Sequence, residues 1–174
     1  MKKTLLIALC SLAVLITACT KPEPEPTPEP VDYAINYVGN YLGQFTLTIT
    51  SMNNQAQTGM AFPIEGISMD ITKGEESNSL IASMTVDDET HQATGTATSE
   101  KATFDPIHLV IDEMHQVSSP YLFNLDLQLE GTKAEGDTLN IVGTFTGDGK
   151  ASIMGQDQVF NEVSGTLLGK LVKQ

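Results

Sequence analysis

The sequence predicts an all-β fold: a single antiparallel, up-and-down β-barrel of about eight strands, preceded by a signal peptide and a Pro/Glu-rich linker. Several stretches, most clearly residues 121–129, alternate apolar and polar side chains. A period of two places one face of a strand in a core and the other in water. Short turn sequences separate these stretches, so neighbouring strands should be antiparallel.

The first 18 residues have the features of a cleaved secretory signal: two lysines, an apolar run and a small-residue ending. The run is shorter than the about 20 residues that a membrane-spanning helix needs. The ending Ile16-Thr17-Ala18-Cys19 resembles the bacterial lipobox, in which the cysteine is acylated and becomes the new N-terminus. We therefore predict a lipoprotein acylated at Cys19 and held at the cell envelope, in the outer membrane. A lipoprotein of this kind can face either the periplasm or the cell surface. The alternative to lipidation is ordinary secretion through a plain signal peptide.

Prolines alternate with acidic or small residues after the lipobox, which predicts an extended tether. Proline fixes its own φ and biases the preceding residue toward extended geometry, so the segment should form polyproline II. At about 3.1 Å per residue it would reach about 35 Å. The predicted organisation is a signal peptide over residues 1–18, the lipidated cysteine and tether over 19–32, and the barrel over 33–174.

Composition excludes several classes of function. The chain has 9 lysines, no arginine and 22 acidic residues, for a net charge of −13. Such a chain repels nucleic acid and lacks the bidentate phosphate clamp that arginine supplies. Cys10 would leave with the signal and Cys19 would carry lipid, so no disulfide, thiolate metal site or cysteine nucleophile is expected in the mature fold. The predicted partner is the membrane, through the lipid anchor, and the sequence specifies no protein partner.

The predicted strands have apolar faces that can be read directly from the alternation. These faces are Phe45, Leu47 and Ile49; Ile67, Met69 and Ile71; Leu80, Ala82, Met84 and Val86; Tyr121, Phe123, Leu125, Leu127 and Leu129; Leu139, Ile141 and Phe145; and Val163, Leu167 and Leu171. Turn sequences lie at residues 73–78, 87–89, 131–137 and 147–149.

Three glycines favour a barrel over the alternative, a two-sheet sandwich. Gly143, Gly165 and Gly169 fall on the apolar faces of their strands. Glycine weakens a strand interior unless the strand must bend sharply or pack closely, as in a closed barrel.

Residues 105–118 fit either a strand or a helix. Asp105-Pro106 followed by apolar residues at helical spacing suggests a capped helix. Residues 107, 109 and 111 also alternate, and we favour a strand to about residue 113. In a helix, His108, Asp112 and His115 would share one stripe and could hold a metal ion. In a strand His115 would face away from the other two, so we predict no metal site. We also predict no cofactor and no catalytic residue.

Residues 39–49 resemble the first strand of the calycin-like β-barrel domains found on Bacteroidetes lipoproteins. Those domains open with a Gly-x-Tyr-x-Gly element, which Gly39, Tyr41 and Gly43 match here. The placement is similar to the lipocalin Gly-x-Trp element, although this chain has no tryptophan. The resemblance implies a barrel and, by analogy, a small-molecule cavity.

Two hypotheses for a non-enzymatic function follow. In the first, the barrel binds a small apolar or amphipathic ligand. In the second, a solid barrel serves a structural role or meets a protein or glycan through its outer surface, because small barrels can fill with their own side chains. The candidate ligand-lining residues are Phe45, Leu47, Ile49, Met69, Met84, Phe123, Leu125, Leu127 and Ile141.

Overall fold

The computed structural model describes residues 31–111, 121–153 and 155–174, and this part of the chain is all-β. A short 3₁₀ helix, Ala34–Asn36, precedes nine strands. The strands are β1 (Gly39–Met52), β2 (Gln55–Lys73), β3 (Ser79–Val86), β4 (Glu89–Ala97), β5 (Ala102–Phe104), β6 (Ile107–Ile111), β7 (Tyr121–Lys133), β8 (Thr138–Ile153) and β9 (Gln156–Lys173).

The nine strands form one antiparallel sheet that closes into a ring, which confirms the predicted up-and-down barrel. Strands pair with their sequence neighbours except for β5 and β6, β1 pairs with β9, and β5 pairs with β7. Both β5 and β6 pair with β7, so they act as two segments of one position in the ring. The interruption falls at Asp105-Pro106, where proline lacks the N–H that a continuous ladder would use. The ring therefore has eight positions.

The two ends of the barrel differ. At one end, called the plug end below, β1 begins, β9 finishes and the 3₁₀ helix contributes the buried Ala34. At the opposite end, called the hairpin end, the β1–β2 and β8–β9 hairpins turn. The β1–β2 turn is tight: Asn53 and Asn54 have φ of 52° and 60°, the left-handed geometry that two-residue hairpins require and asparagine tolerates.

The inward faces of the strands form one continuous apolar core. Along β7, for example, Phe123, Leu125, Leu127 and Leu129 are buried. The predicted apolar faces all point inward, except that Tyr121, at the start of β7, is only partly buried. No polar or charged residue is buried among the described residues.

Two of the three inward glycines singled out in the sequence, Gly165 and Gly169, make room for aromatic rings. A Cβ atom on Gly169 would collide with the ring of Phe45, and one on Gly165 would collide with the ring of Phe145. These residues face each other across ladders: Phe45 pairs with Gly169, and Phe145 pairs with Gly165. Each ring thus lies over a position that has no side chain.

Two local predictions need correction. Residues 147–149 are not a turn, because β8 continues through them, and the register shift opposite them places an extra residue on β9, between Phe160 and Val163. The turn predicted over 131–137 is shorter, because β7 runs to Lys133. The favoured strand is confirmed for Ile107–Ile111, which pairs with β7, so the helical alternative is wrong there, while residues 112–118 lie outside the described part.

Candidate functional site: the barrel interior

All nine residues predicted to line the barrel interior are buried. Each of their side chains is at most 3% exposed. They belong to one core cluster: Phe45, Leu47, Ile49, Met69, Met84, Phe123, Leu125, Leu127 and Ile141. Their inward direction follows from strand alternation.

Four of the nine predicted lining residues converge toward the hairpin end. Together with three residues that the sequence analysis did not single out as lining, they form what we call the hairpin-end cluster. The gaps between these side chains leave no space that would hold a water molecule. Its members are Leu47, Ile49, Phe62, Phe123, Leu125, Phe145 and Val163.

Aromatic rings pack across the hairpin end. The ring of Phe123 lies 6.2 Å from Phe62, 5.9 Å from Tyr121 and 6.4 Å from Phe160, measured between centroids. The Tyr121 and Phe123 rings are nearly parallel, at 6°. Distances of this size are typical of stabilising aromatic pairs, so Phe123 is the centre of this packing.

Three tyrosines contribute hydrogen bonds at the plug end. The Tyr41 hydroxyl donates a hydrogen bond to the carbonyl oxygen of Tyr37 (2.9 Å), and the backbone N–H of Tyr33 donates to Oδ1 of Asn78 (2.5 Å). Burial raises the pKa of Tyr37 and of Tyr41 above the ordinary tyrosine value, because a phenolate would lose its hydration there. The sequence analysis missed this plug, since one helical turn is too short to give a periodic pattern.

Asp32 fastens the same segment to the barrel wall. Its carboxylate forms an ion pair with the Lys73 ammonium and accepts hydrogen bonds from the backbone N–H groups of Ala34 (3.1 Å) and Asn78 (3.3 Å). The hydrogen bond from Lys73 is the main cause that lowers the pKa of Asp32. Asp32, which the sequence analysis placed at the end of the tether, thus contacts β2 and the β2–β3 connection.

His91 is the one polar side chain that β4 directs toward the interior. It shares the inward face with Ala93 and Ala97. Its Nε2 atom is buried without a hydrogen-bond partner among the described residues, and Oε2 of Glu89 lies 3.9 Å away, beyond hydrogen-bonding distance. The side chain as a whole is 19% exposed. The alternation of β4 places it inward, but the polar neighbours Thr90 and Gln92 obscured this signal in the sequence.

His108 points outward from β6, in line with the strand prediction. Its Nδ1 lies 2.9 Å from Oδ1 of Asp126 on β7, and both side chains are more than half exposed. Asp112 and His115 lie outside the described residues, as does Cys19. In the described part, no group of three histidine, cysteine or acidic side chains is placed to hold a metal ion. The interior contributes apolar packing, and the polar groups lie at its ends and on its outer surface.

Comparisons with known proteins do not assign a family. No family model matches the chain, and no curated protein matches it. A solved structure from Nostoc punctiforme, described as a DUF3598-family protein with unknown function, aligns with 13% identity and a TM-score of 0.38. The alignment covers 85% of this chain and 53% of that one, so this chain spans about half the length of that protein. Within the described residues, no helix is long and apolar enough to cross a membrane.

Proposed function

We propose that this chain is a lipid-anchored lipoprotein of the cell envelope, held in the outer membrane by an acylated Cys19 and displaying a non-catalytic barrel. The lipobox-like ending and the proline-rich tether support the anchor. The calycin-like resemblance belongs to the same proposal, since such domains occur on Bacteroidetes lipoproteins. Two acyl chains hold a protein on a bilayer stably, whereas one does not.

The tight packing of the hairpin-end cluster favours a barrel that acts through its outer surface. Small-molecule sites usually enclose about 300–1,000 Å³, whereas the gaps in the hairpin-end cluster do not hold a water molecule. The barrel then serves as a rigid platform, and its function depends on the molecules that its outer surface and its two ends contact. The packing of this cluster is the observation that favours this hypothesis over ligand binding.

A binding role for a small apolar ligand is the second candidate. The observation that favours it is the composition of the hairpin-end cluster, whose lining is entirely aliphatic and aromatic. A ligand would enter only if Phe62 or Phe123 changed rotamer, which would open space among apolar walls. Methionines such as Met84 are flexible and would ease such repacking.

Replacing Cys19 by serine tests the anchor. In cells that produce the full chain, we expect Cys19→Ser to move the protein from the membrane fraction to the soluble fraction. Cys10→Ser is the matched control, because it removes the other cysteine within the signal and should leave the protein on the membrane. Unchanged membrane retention of the Cys19→Ser protein would contradict the proposal, as would a mature N-terminus without acyl groups in mass spectrometry.

Native mass spectrometry of the protein from its own cells separates the two hypotheses for the barrel. A mass equal to the acylated polypeptide alone is expected for the solid barrel. A bound small molecule that is lost after Phe123→Trp, a substitution that enlarges a side chain of the hairpin-end cluster, would instead establish the ligand-binding alternative.

A further inference from the structure

One outer face of the barrel differs in charge from the rest of the chain. It consists of the outward positions over residues 40–50 of β1, 164–172 of β9 and 138–146 of β8, the parts of these three adjacent strands that lie toward the plug end, and we call it the neutral face. No aspartate or glutamate occurs among these positions, and Lys170 is the one charged residue, in a chain of net charge −13. Its members are Asn40, Leu42, Gln44, Thr46, Thr48 and Thr50 on β1; Ser164, Thr166, Leu168, Lys170 and Val172 on β9; and Thr138, Asn140, Val142, Thr144 and Thr146 on β8.

Four aliphatic side chains of the neutral face are exposed to solvent. Leu42 pairs with Val172, and Leu168 pairs with Val142, so they form two rows across the strands. Their exposed fractions are 44%, 44%, 61% and 42%, in that order. Single exposed aliphatic residues are normal on a protein surface, but here four surround a single position.

That position is Lys170, in the row between the two aliphatic rows. It pairs with Gln44 on one side and Asn140 on the other. Within the described part of the chain, no carboxylate lies within 4.0 Å of its ammonium group; the ion pairs there involve Lys73, Lys101, His91 and His108. The neutral face thus presents a cation without an acidic partner among aliphatic side chains.

Carboxylates border this face. They return on β2 with Asp70, on β7 with Asp126 and Glu130, in the β7–β8 connection with Asp137, and farther along β8 and β9 with Asp148 and Glu162. These border carboxylates would repel a negatively charged surface. At the centre of the neutral face, no side-chain carboxylate would add to that repulsion. An uncharged or zwitterionic surface could contact the centre without bringing acids into an apolar environment.

The neutral face also starts at the end of the barrel where the tether joins. Residues 19–30 connect to the described chain at Val31, and Val31 and Ile35 are 61% and 72% exposed. Leu42 and Val172 lie near the same end, because β1 begins and β9 finishes there. With an extended reach of about 35 Å, the tether is long enough for one side of the barrel to meet the surface that holds the anchor.

We propose that the neutral face is a docking surface for the lipid bilayer, with its four aliphatic side chains in the headgroup region and the Lys170 ammonium at the phosphates. This rests on the lipid anchor proposed above, which keeps the barrel close to a membrane. Aliphatic side chains gain free energy on leaving water, and lysine can extend its apolar stem while its charge remains hydrated. A glycan is a weaker candidate, because none of these positions is aromatic, and aromatic rings form the usual platform for sugars.

Vesicle sedimentation tests this docking without the anchor. The chain lacking residues 1–18 and carrying Cys19→Ser is mixed with vesicles of phosphatidylcholine, alone or with phosphatidylglycerol. We expect the protein to sediment with phosphatidylcholine vesicles and less with the anionic mixture at low salt, because its net charge repels anionic lipid at long range. Added salt should reduce this difference.

Matched substitutions locate the contact. Leu168→Asp should weaken binding by about tenfold or more, from the lost burial of one leucine. Val159→Asp is the control, since Val159 is 64% exposed but lies at the hairpin end. Lys170→Glu should also weaken binding to the anionic mixture, and by more than Lys150→Glu, which makes the same change of net charge away from the neutral face. Circular dichroism verifies that each variant is folded.

Failure of the unsubstituted chain to sediment with either kind of vesicle would overturn the docking proposal, and so would equal losses in the Leu168 and Val159 variants. Neither result would affect the anchor, because the protein tested carries no lipid. The fractionation of Cys19→Ser in cells decides the anchor independently.

Discussion

The plug end and the hairpin end of the barrel are closed by different interactions. At the plug end, hydrogen bonds fix a short segment across the opening: Tyr41 to Tyr37, Tyr33 to Asn78, and Asp32 to Lys73. At the hairpin end, aromatic rings around Phe123 fill the space and make no hydrogen bonds with one another. Directional contacts position the first end, and burial of apolar area stabilises the second.

This difference has an energetic consequence. An intramolecular hydrogen bond contributes about 0.5–1.5 kcal/mol net, whereas truncation of a buried phenylalanine costs about 3–5 kcal/mol. The hairpin end should therefore dominate stability. The plug end should respond to pH, because its contacts involve tyrosine hydroxyls and a carboxylate.

The largest effect is expected from Phe123→Ala at the hairpin end. It removes the ring at the centre of the aromatic packing and should lower the free energy of unfolding by about 3–5 kcal/mol, measured by urea titration. Val142→Ala, at a position that is 42% exposed, is the control and should change it by less than about 0.5 kcal/mol. A loss below about 1 kcal/mol for Phe123→Ala would show that neighbouring rings collapse into the space.

A smaller effect is expected from alkaline pH at the plug end. The pKa of Tyr37 and of Tyr41 is raised in the folded state. Their contribution to the free energy of unfolding is therefore complete below the unfolded pKa of about 10 and is lost as pH rises from there through the higher folded pKa. Urea titrations between neutral pH and pH about 11 should show this loss. Tyr41→Phe should reduce the alkaline loss and cost about 1 kcal/mol at neutral pH, since the Tyr37 carbonyl loses its donor. Equal alkaline slopes in both proteins would contradict the assignment.

The smallest effect concerns Asp32. Its pKa is lowered in the folded state, first by the hydrogen bond from Lys73. Its stabilising contribution is therefore present above the unfolded value of 3.8 and is lost as pH falls through the lower folded value. The difference in stability between the unsubstituted protein and Asp32→Asn should shrink below pH about 4, by urea titration. Asp157→Asn, at an exposed position, is the control, and the same pH dependence in both variants would contradict the role assigned to Asp32.

The sequence predicted the parts of the fold that depend on alternation. The run from Phe123 to Leu129 identified β7 and its inward face, and the inward glycines, such as Gly165, indicated a closed ring. It failed at residues 147–149, which have the composition of a turn but continue β8 opposite a bulge in β9. The 3₁₀ plug was missed because its contacts, such as Tyr33 to Asn78, join residues far apart in the sequence.

The candidate site was predicted in part for the same reason. Inward direction follows from alternation, so all nine lining residues were placed correctly in the interior. The set of side chains that meet at one end depends on how the strands curve around the barrel. This curvature places Phe62 and Val163 in the same cluster as Phe123. Whether the interior is hollow depends on side-chain volumes across eight ring positions, which no single stretch of sequence encodes.

The pairing of β1 with β9 has a consequence for how the chain acquires its structure. Tyr41 pairs with Lys173, so β1 must wait until β9 has been made before its second edge is covered. Until then both edges of an incomplete sheet are free to pair with other chains. Contacts between such distant residues also slow folding. A polypeptide that emerges N-terminus first would therefore need shielding until its final strand arrives, and a truncation that removes β9 should leave an aggregating fragment rather than a smaller barrel.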